Sequence, residues 1–267
     1  MKNILVPTDF SENADNALNY AVELAEKAGG KVQLVHTYIT TAHAGHLANI
    51  DRVVRVDRQK EMAAYLAKKN NSNIVGKLRN GEPVEMIEEE GERQEADLIV
   101  MGTLGANKLS KKLLGSTASN VIKNINIPVL AIPANVKKMD FDTLVVAFDA
   151  LNIPAKEVMD KMLDFAKTVG LSLDLVHVSS DKLHTDLDSE IKDYLEKNKV
   201  DYSYNRVESN DTLEGILDYT QTKEKAILCL ISRQRSWFSN LFHSSVSQKA
   251  AMQATMPLLV LHDTIDA

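Results

Sequence analysis

Two hydrophobic patterns alternate along this 267-residue chain. Short apolar runs such as Ile4-Leu5-Val6, Leu98-Ile99-Val100-Met101, Leu144-Val145-Val146 and Ile227-Leu228-Cys229-Leu230-Ile231 have the length and branching of strands buried on both faces. Between them lie stripes of helical period. Ala14, Ala17, Leu18, Ala21, Leu24, Ala25 and Ala28 form one such stripe, and Gly29-Gly30 supplies its stop. Residues 45–70 read as a longer helix, and Pro83 opens another over Glu82–Gln94. Later, Pro154 opens a helix with Val158, Met162, Ala166 and Val169 inward, and Asp211 with Glu214 has the spacing of a capping box. Strand and helix in strict alternation predict an α/β fold, with a parallel sheet, helices on both faces and right-handed crossovers.

The pattern occurs twice. Thr143-Leu144-Val145-Val146-Ala147-Phe148-Asp149 restates Asn3-Ile4-Leu5-Val6-Pro7-Thr8-Asp9, and Leu173-Asp174-Leu175-Val176-His177 restates Val32-Gln33-Leu34-Val35-His36. Ala226–Ile231 restates Ala96–Met101, and Met256-Pro257-Leu258-Leu259-Val260 restates Ile127-Pro128-Val129-Leu130-Ala131. A repeat of this length is a duplicated domain, not a solenoid. The expected units are residues 1–135 and 140–267, joined by a linker near Pro133–Asp142. The apolar strands Val129–Ile132 and Leu258–Leu261 would leave bare sheet edges unless they pair with each other, antiparallel, across a pseudo-twofold axis.

The densest chemical signal lies at residues 101–118. The run Leu98–Met101 enters a loop bearing Gly102, Gly105 and Gly115, and a helical stripe of Ala118, Val121, Ile122 and Ile125 follows Ser116 and Thr117. A strand, a glycine loop and a helix N-terminus together make an anion site, with free backbone N–H groups and the positive end of the helix dipole turned towards it. Glycine lets the backbone reach a phosphate with no Cβ in the way. No Asp or Glu occurs between Asp97 and Asp140, whereas Lys108, Lys111, Lys112 and Lys123 do.

The spacing Gly-x2-Gly-x9-Gly-Ser behind Leu-Ile-Val-Met resembles the ATP-binding signature of the universal stress protein family. Ile4-Leu5-Val6-Pro7-Thr8-Asp9-Phe10-Ser11, Val35-His36 and Asn126-Ile127-Pro128-Val129-Leu130 are similar to other landmarks of that family. Neither a Walker loop nor a dinucleotide Gly-x-Gly-x-x-Gly is present. The resemblance implies two tandem, doubly wound, five-stranded parallel sheets of the Rossmann-like, adenine nucleotide alpha hydrolase-like kind. It implies ATP, or ADP or AMP, with Mg²⁺ as a potential companion. It places Gly102, Gly105, Gly115, Ser116 and Thr117 on the phosphates and ribose, Pro7, Thr8 and Asp9 beside the adenosine, and Thr37 near the base. Met101 and Thr103 flank the first glycine and are expected to line the pocket. No catalytic residue and no metal ligand is expected.

Composition narrows the function classes. Residues 1–135 carry 16 basic and 16 acidic residues, and the remainder 15 and 21, so the net charge of −6 sits in the second half and no basic face for nucleic acid emerges. No apolar stretch has the length of a membrane span, and no signal peptide is legible. The single Cys229, within a strand, fits a reducing cytoplasm. His43 and His46, with Asp51 as the nearest carboxylate, are too few for a zinc site and read as a solvated helix entry. His36 and His177 end equivalent strands and are expected to satisfy core backbone groups. Glu88-Glu89-Glu90 reads as a solvated helix face.

The second copy departs from the signature. Ser232, Arg235 and Ser244 are expected where the three glycines stand, in a loop one residue shorter that holds Trp237, Phe238, Leu241 and Phe242. Those side chains either plug a vacated site or form a partner surface, while Asp149 persists and Arg233 or Arg235 could take a smaller anion. The resulting expectation is a cytoplasmic nucleotide-binding regulator of stress responses, paired within one chain. A homodimer and a further protein partner stay open, as do two rivals: a slow ATP hydrolase or phosphotransferase, and a nucleotide-free interaction module.

Overall fold

The computed structural model describes residues 1–40, 47–103, 115–147, 153–179, 186–233 and 256–263. The first half comprises β1 (Asn3–Pro7), α1 (Glu12–Ala28), β2 (Lys31–Tyr38), α2 (Leu47–Lys69), β3 (Ile74–Asn80), α3 (Pro83–Arg93), β4 (Leu98–Gly102), α4 (Ser116–Asn124) and β5 (Val129–Ile132). The second comprises β6 (Thr143–Ala147), α5 (Lys156–Val169), β7 (Ser172–Ser179), α6 (Ser189–Lys197), β8 (Tyr202–Glu208), α7 (Thr212–Gln221), β9 (Ala226–Arg233) and β10 (Leu258–Asp263). All these strands join one ten-stranded sheet in the order β3-β2-β1-β4-β5-β10-β9-β6-β7-β8. Pairing is parallel within each half, and the expected antiparallel seam joins β5 to β10. Leu130 faces its counterpart Leu259 there, so the pseudo-twofold axis passes through that pair.

Alternation along the strands feeds two cores. Ile4 and Val6 turn to the side of α1, α2, α5 and α6, while Leu5, Ile99 and Val129 turn to that of α3, α4 and α7. Each core takes residues from both halves, so the seam is continuous hydrophobic interior. The alanine stripe lies inward on α1 and leaves the helix close to the sheet. Ser11 caps α1 by accepting from the Ala14 N–H at 3.2 Å, and Gly29 closes it at φ 63°, a left-handed conformation that suits glycine. The linker is strapped across α1: Asn16 Nδ2 donates to the Val136 carbonyl at 2.7 Å and the Tyr20 hydroxyl to that of Lys138 at 2.5 Å.

Four expectations change. α5 begins at Lys156 rather than Pro154, and its first turn follows Ala155, which offers no capping side chain. Asp211 does cap α7, accepting from the Leu213 and Glu214 N–H groups, but its own N–H goes to Ser209 Oγ, which takes the place of a reciprocal Glu214. Glu90 is not solvated: α3 turns it fully inward, against Gln33, Arg93 and Arg79, whose Nε lies 3.2 Å away. Glu89 meets Arg79 on the outside at 3.1 Å.

The fourth change is a register. The Ile99 N–H donates to the Pro128 carbonyl, and the Leu228 N–H to the Pro257 carbonyl, at 2.8 and 2.9 Å. Ile99 pairs with Val129 and Leu228 with Leu258, so Ile99 and Leu228 are equivalent. The counterpart of Gly102 is therefore Ile231, not Ser232, and that of Gly105 is Gln234, not Arg235. Counted from this register, the two loops have equal length up to Gly115 and Ser244.

In the second half Asp174 occupies the β7 position equivalent to Gln33. It is buried and accepts from Lys223 and Tyr219 at 2.8 Å each, Ser203 at 2.9 Å and Asn205 at 2.7 Å. Burial alone would raise its pKa, but these donors outweigh burial and hold the carboxyl below the usual carboxylate range. A depressed folded pKa gives stability that is present above the unfolded value of about 3.9 and lost as pH falls through the folded one. Asp174→Asn should therefore cost about 2 kcal/mol near neutrality in urea titrations, with the gap to the parent closing below about pH 4. A gap that does not vary with pH would contradict this assignment.

Candidate nucleotide site

The chain runs outward from β1 through β2 to β3, then returns to lay β4 on the other flank of β1. That reversal opens a crevice at the carboxyl ends of β1 and β4, where open α/β sheets take ligands. Pro7 ends β1 opposite Val35, and β2 continues past it to Tyr38, so Thr37 stands beyond the end of β1. Thr8 is buried; its N–H donates to the Val35 carbonyl at 2.8 Å, and its hydroxyl accepts from the Phe10 N–H at 2.9 Å. Asp9 is exposed at the crevice, and its Oδ1 accepts from the Ser11 N–H at 3.0 Å. It thus steadies the entry to α1, as an Asx turn does.

Phe10 holds this turn in an unusual way. Its φ of 59° is left-handed, a conformation costing a non-glycine residue about 1 kcal/mol or more. Its ring packs, tilted, between His36 at 4.5 Å and Tyr65 at 5.1 Å, and His36 Nδ1 donates to the Thr8 carbonyl at 2.8 Å. His36 thus satisfies a backbone group, as expected. The Tyr65 hydroxyl donates to Asp15; burial and that carboxylate push its pKa up. No sequence signal marked the left-handed backbone of Phe10, because such positions are read from Gly and Asn.

On the β4 side, Gly102 ends the strand and Thr103, buried, follows it. The Thr103 N–H donates to the Ile132 carbonyl at 3.1 Å, and its own carbonyl accepts from the Gly115 N–H at 2.5 Å. That bond brings Gly115 and α4 back to the crevice. Gly115 caps α4 with no side-chain hydrogen bond, and the first turn of α4 contains no acid. The N–H groups of Ser116, Thr117 and Ala118 have no partner within the helix, since its ladder starts with Ser119 donating to Gly115 at 2.9 Å. Ser116 is exposed and Thr117 half-buried. Met101 points its side chain into the core beneath α3 and α4. The structure thus gathers Pro7, Thr8, Asp9, Gly102, Thr103, Gly115, Ser116 and Thr117 around one crevice, with Thr37 on the adjoining strand.

Gly105 and the three loop lysines lie outside the described residues. So do His43 and His46, Asp149, Arg235, Ser244 and the Trp237–Phe242 segment. Asp51 accepts from Thr40 and Asn80, at 2.9 and 2.8 Å. Cys229 is fully buried, and desolvation pushes its thiol pKa up, away from reactivity. Among the described residues no helix is long and apolar enough to cross a membrane.

The profile of the Universal stress protein family matches residues 1–133. Universal stress protein MJ0531 of Methanocaldococcus jannaschii is 31% identical over 138 residues, spanning 49% of this chain and 81% of that protein. This chain belongs to the universal stress protein family. A second relative from the same organism, universal stress protein MJ0577, is 31% identical over 153 residues, spanning 49% of this chain and 94% of its own length. Among solved structures, a universal stress protein from Archaeoglobus fulgidus aligns over 98% of both chains with a TM-score of 0.76 at 22% identity. That likeness extends the fold across both halves. The doubly wound, Rossmann-like architecture is thus the family's, present twice.

Gly102 has a packing reason of its own. A Cβ there would lie 2.4 Å from Asn13 Nδ2 and 2.9 Å from the Asn13 backbone oxygen, so only glycine lets the first turn of α1 close on β4. In the second half Ile231 takes this place, and α5 lacks the matching turn. Gly29 and Gly170 align the helix ends and set Glu12 opposite Ile153, which precedes α5. Gly102→Ala should cost about 1–3 kcal/mol of unfolding free energy, and Asn13→Ala in the same chain should restore only part, because the backbone oxygen stays. Denaturant midpoints measure both, and a Gly102→Ala variant as stable as the parent would refute the packing constraint.

Proposed function

We propose that this universal stress protein binds one adenine nucleotide per chain, in a first unit of residues 1–135, while the second unit, 140–267, binds none. The observation that carries this reading is the start of α4. A glycine cap without a side chain, three N–H groups with no partner inside the helix and no acid in its first turn stand at the β1–β4 crevice beside Asp9. An anion is what such a helix end takes, and a polyphosphate fits a loop of glycine and lysine. Asp9 and the Thr37 backbone then face the adenosine, with Gly105 and Thr117 completing the phosphate and ribose contacts. ATP, ADP and AMP are all candidates, with Mg²⁺ carried in by the polyphosphate. In the second unit Ile231 puts a branched side chain where Gly102 stands, and this supports a single site. The role is that of a cytoplasmic regulator that reports nucleotide state rather than a rapid catalyst.

Calorimetry should count about one ATP per chain, and Gly115→Val should abolish binding with the fold intact. Melting should rise with nucleotide, by about 2.7 kcal/mol of stabilisation at a hundredfold excess over Kd. Two equivalent sites would overturn the assignment. A melting temperature indifferent to ATP, ADP and AMP would favour the nucleotide-free interaction module, and many turnovers per second would favour an enzyme.

A further inference from the structure

Besides the β5–β10 ladder and the ion pair of the Met1 ammonium with Asp164, the two halves meet at a further polar point. His262, near the end of β10, places its Nε2 2.9 Å from the Ile122 carbonyl of α4. A carbonyl only accepts, so Nε2 carries the proton and donates. Ile122 lies in the last turn of α4, where carbonyls have no partner further along the helix. The Val121 carbonyl is taken by the Ile125 N–H, and that of Ile122 by the other half of the molecule. The ring is mostly buried, and among the described residues its Nδ1 has no hydrogen-bond partner. Burial, chiefly, and the charge of Lys161 lower its pKa, while the Ile122 carbonyl opposes them. With the proton on Nε2 the ring donates to this carbonyl whether neutral or protonated.

This bond is not reproduced by the pseudo-symmetry. The register makes Val129 equivalent to Leu258, so the pseudo-symmetry equivalent of His262 is Pro133, which has no side-chain donor. The contact runs one way, from the half whose loop has lost its glycines to the helix that opens at the intact crevice. α4 is nine residues long, about 14 Å, so its two ends move as one rigid element. One end is tied to Thr103 through Gly115, the other to His262.

We propose that His262 is a positioning residue of the nucleotide site: by holding the Ile122 carbonyl it fixes α4, so that the second half sets how well the first half binds its ligand. The inference rests on the nucleotide reading of the crevice, and its test separates the two. Gln places its amide nitrogen near the position of the imidazole Nε2, whereas Leu fills the space without a donor. With ATP as the probe, His262→Leu should weaken binding about fivefold to tenfold at a temperature where the chain is fully folded, and His262→Gln should restore it to within about twofold. Amide exchange of the nucleotide-free chain over Ser116–Asn124 should quicken in the Leu variant and return towards the parent in the Gln variant. A Leu variant that melts earlier but binds ATP with parental affinity would overturn the inference, leaving His262 a structural residue only. If the parent itself binds no ATP, ADP or AMP, the nucleotide reading fails, and the exchange measurement alone decides whether His262 positions α4: unchanged exchange would overturn that too.

Discussion

The ladder between β5 and β10 is three residue pairs long, yet both halves depend on it. β5 is a strand of four residues, all buried, and β10 presents Leu259, Val260 and Leu261 with the same burial. Taken apart, each half would end in an apolar strand with a row of bare N–H and C=O groups, the combination that drives unspecific pairing. Joined, both edges vanish and the cores on either face of the sheet run through the seam. The backbone term is small, about 1 kcal/mol per bond, so hydrophobic continuity holds the pair and the hydrogen bonds set its register. Because Leu130 meets Leu259, each half sees the other in the same relation, as in a symmetric dimer, although one chain supplies both.

That geometry leaves β3 and β8 as the outer strands. It also sets α4 against the end of β10, which makes the His262 contact available. The crevice itself depends on closer distances. Gly102 admits Asn13, and the bond from Gly115 to Thr103 holds the start of α4 beside the end of β4. Ile231 is incompatible with such an approach, and a helix that begins later stands beside it.

Much of this was legible in the residues. The alternation of strands and stripes, the duplication, the linker and the edge pairing all follow from periodicity and from the cost of a bare strand. The glycine loop stood out by spacing and by the missing acids. What was not legible has a common cause. A run of aliphatic residues in a parallel strand has no phase: shifting Ala226–Ile231 by one still sets aliphatic against aliphatic, and only the bonds to Pro128 and Pro257 fix the register. Glu88, Glu89 and Glu90 are chemically identical in sequence, and which one turns inward depends on Gln33 and Arg79 from distant strands. Phe10 takes its left-handed backbone from two ring contacts, one of them on α2. Long-range partners decide each of these, and periodicity carries no information about them.

The same buried position beneath the second strand of each half shows how far the copies have diverged. In the first half the strand offers the neutral Gln33 and α3 brings the carboxylate Glu90, neutralised by Arg79 and Arg93. In the second the strand carries the carboxylate Asp174, and α7 and the residues after it bring Tyr219 and Lys223. Each arrangement satisfies its buried charge, and neither tolerates a component of the other. An aspartate in place of Gln33 would confront Glu90 in a place without water, and a glutamate on α7 would confront Asp174; two uncompensated carboxylates in such a site cost several kcal/mol. The fold is duplicated, but the charge pattern inside it is not. Each helix is therefore matched to its own strand, and the pseudo-twofold axis relates backbones whose interiors cannot be exchanged.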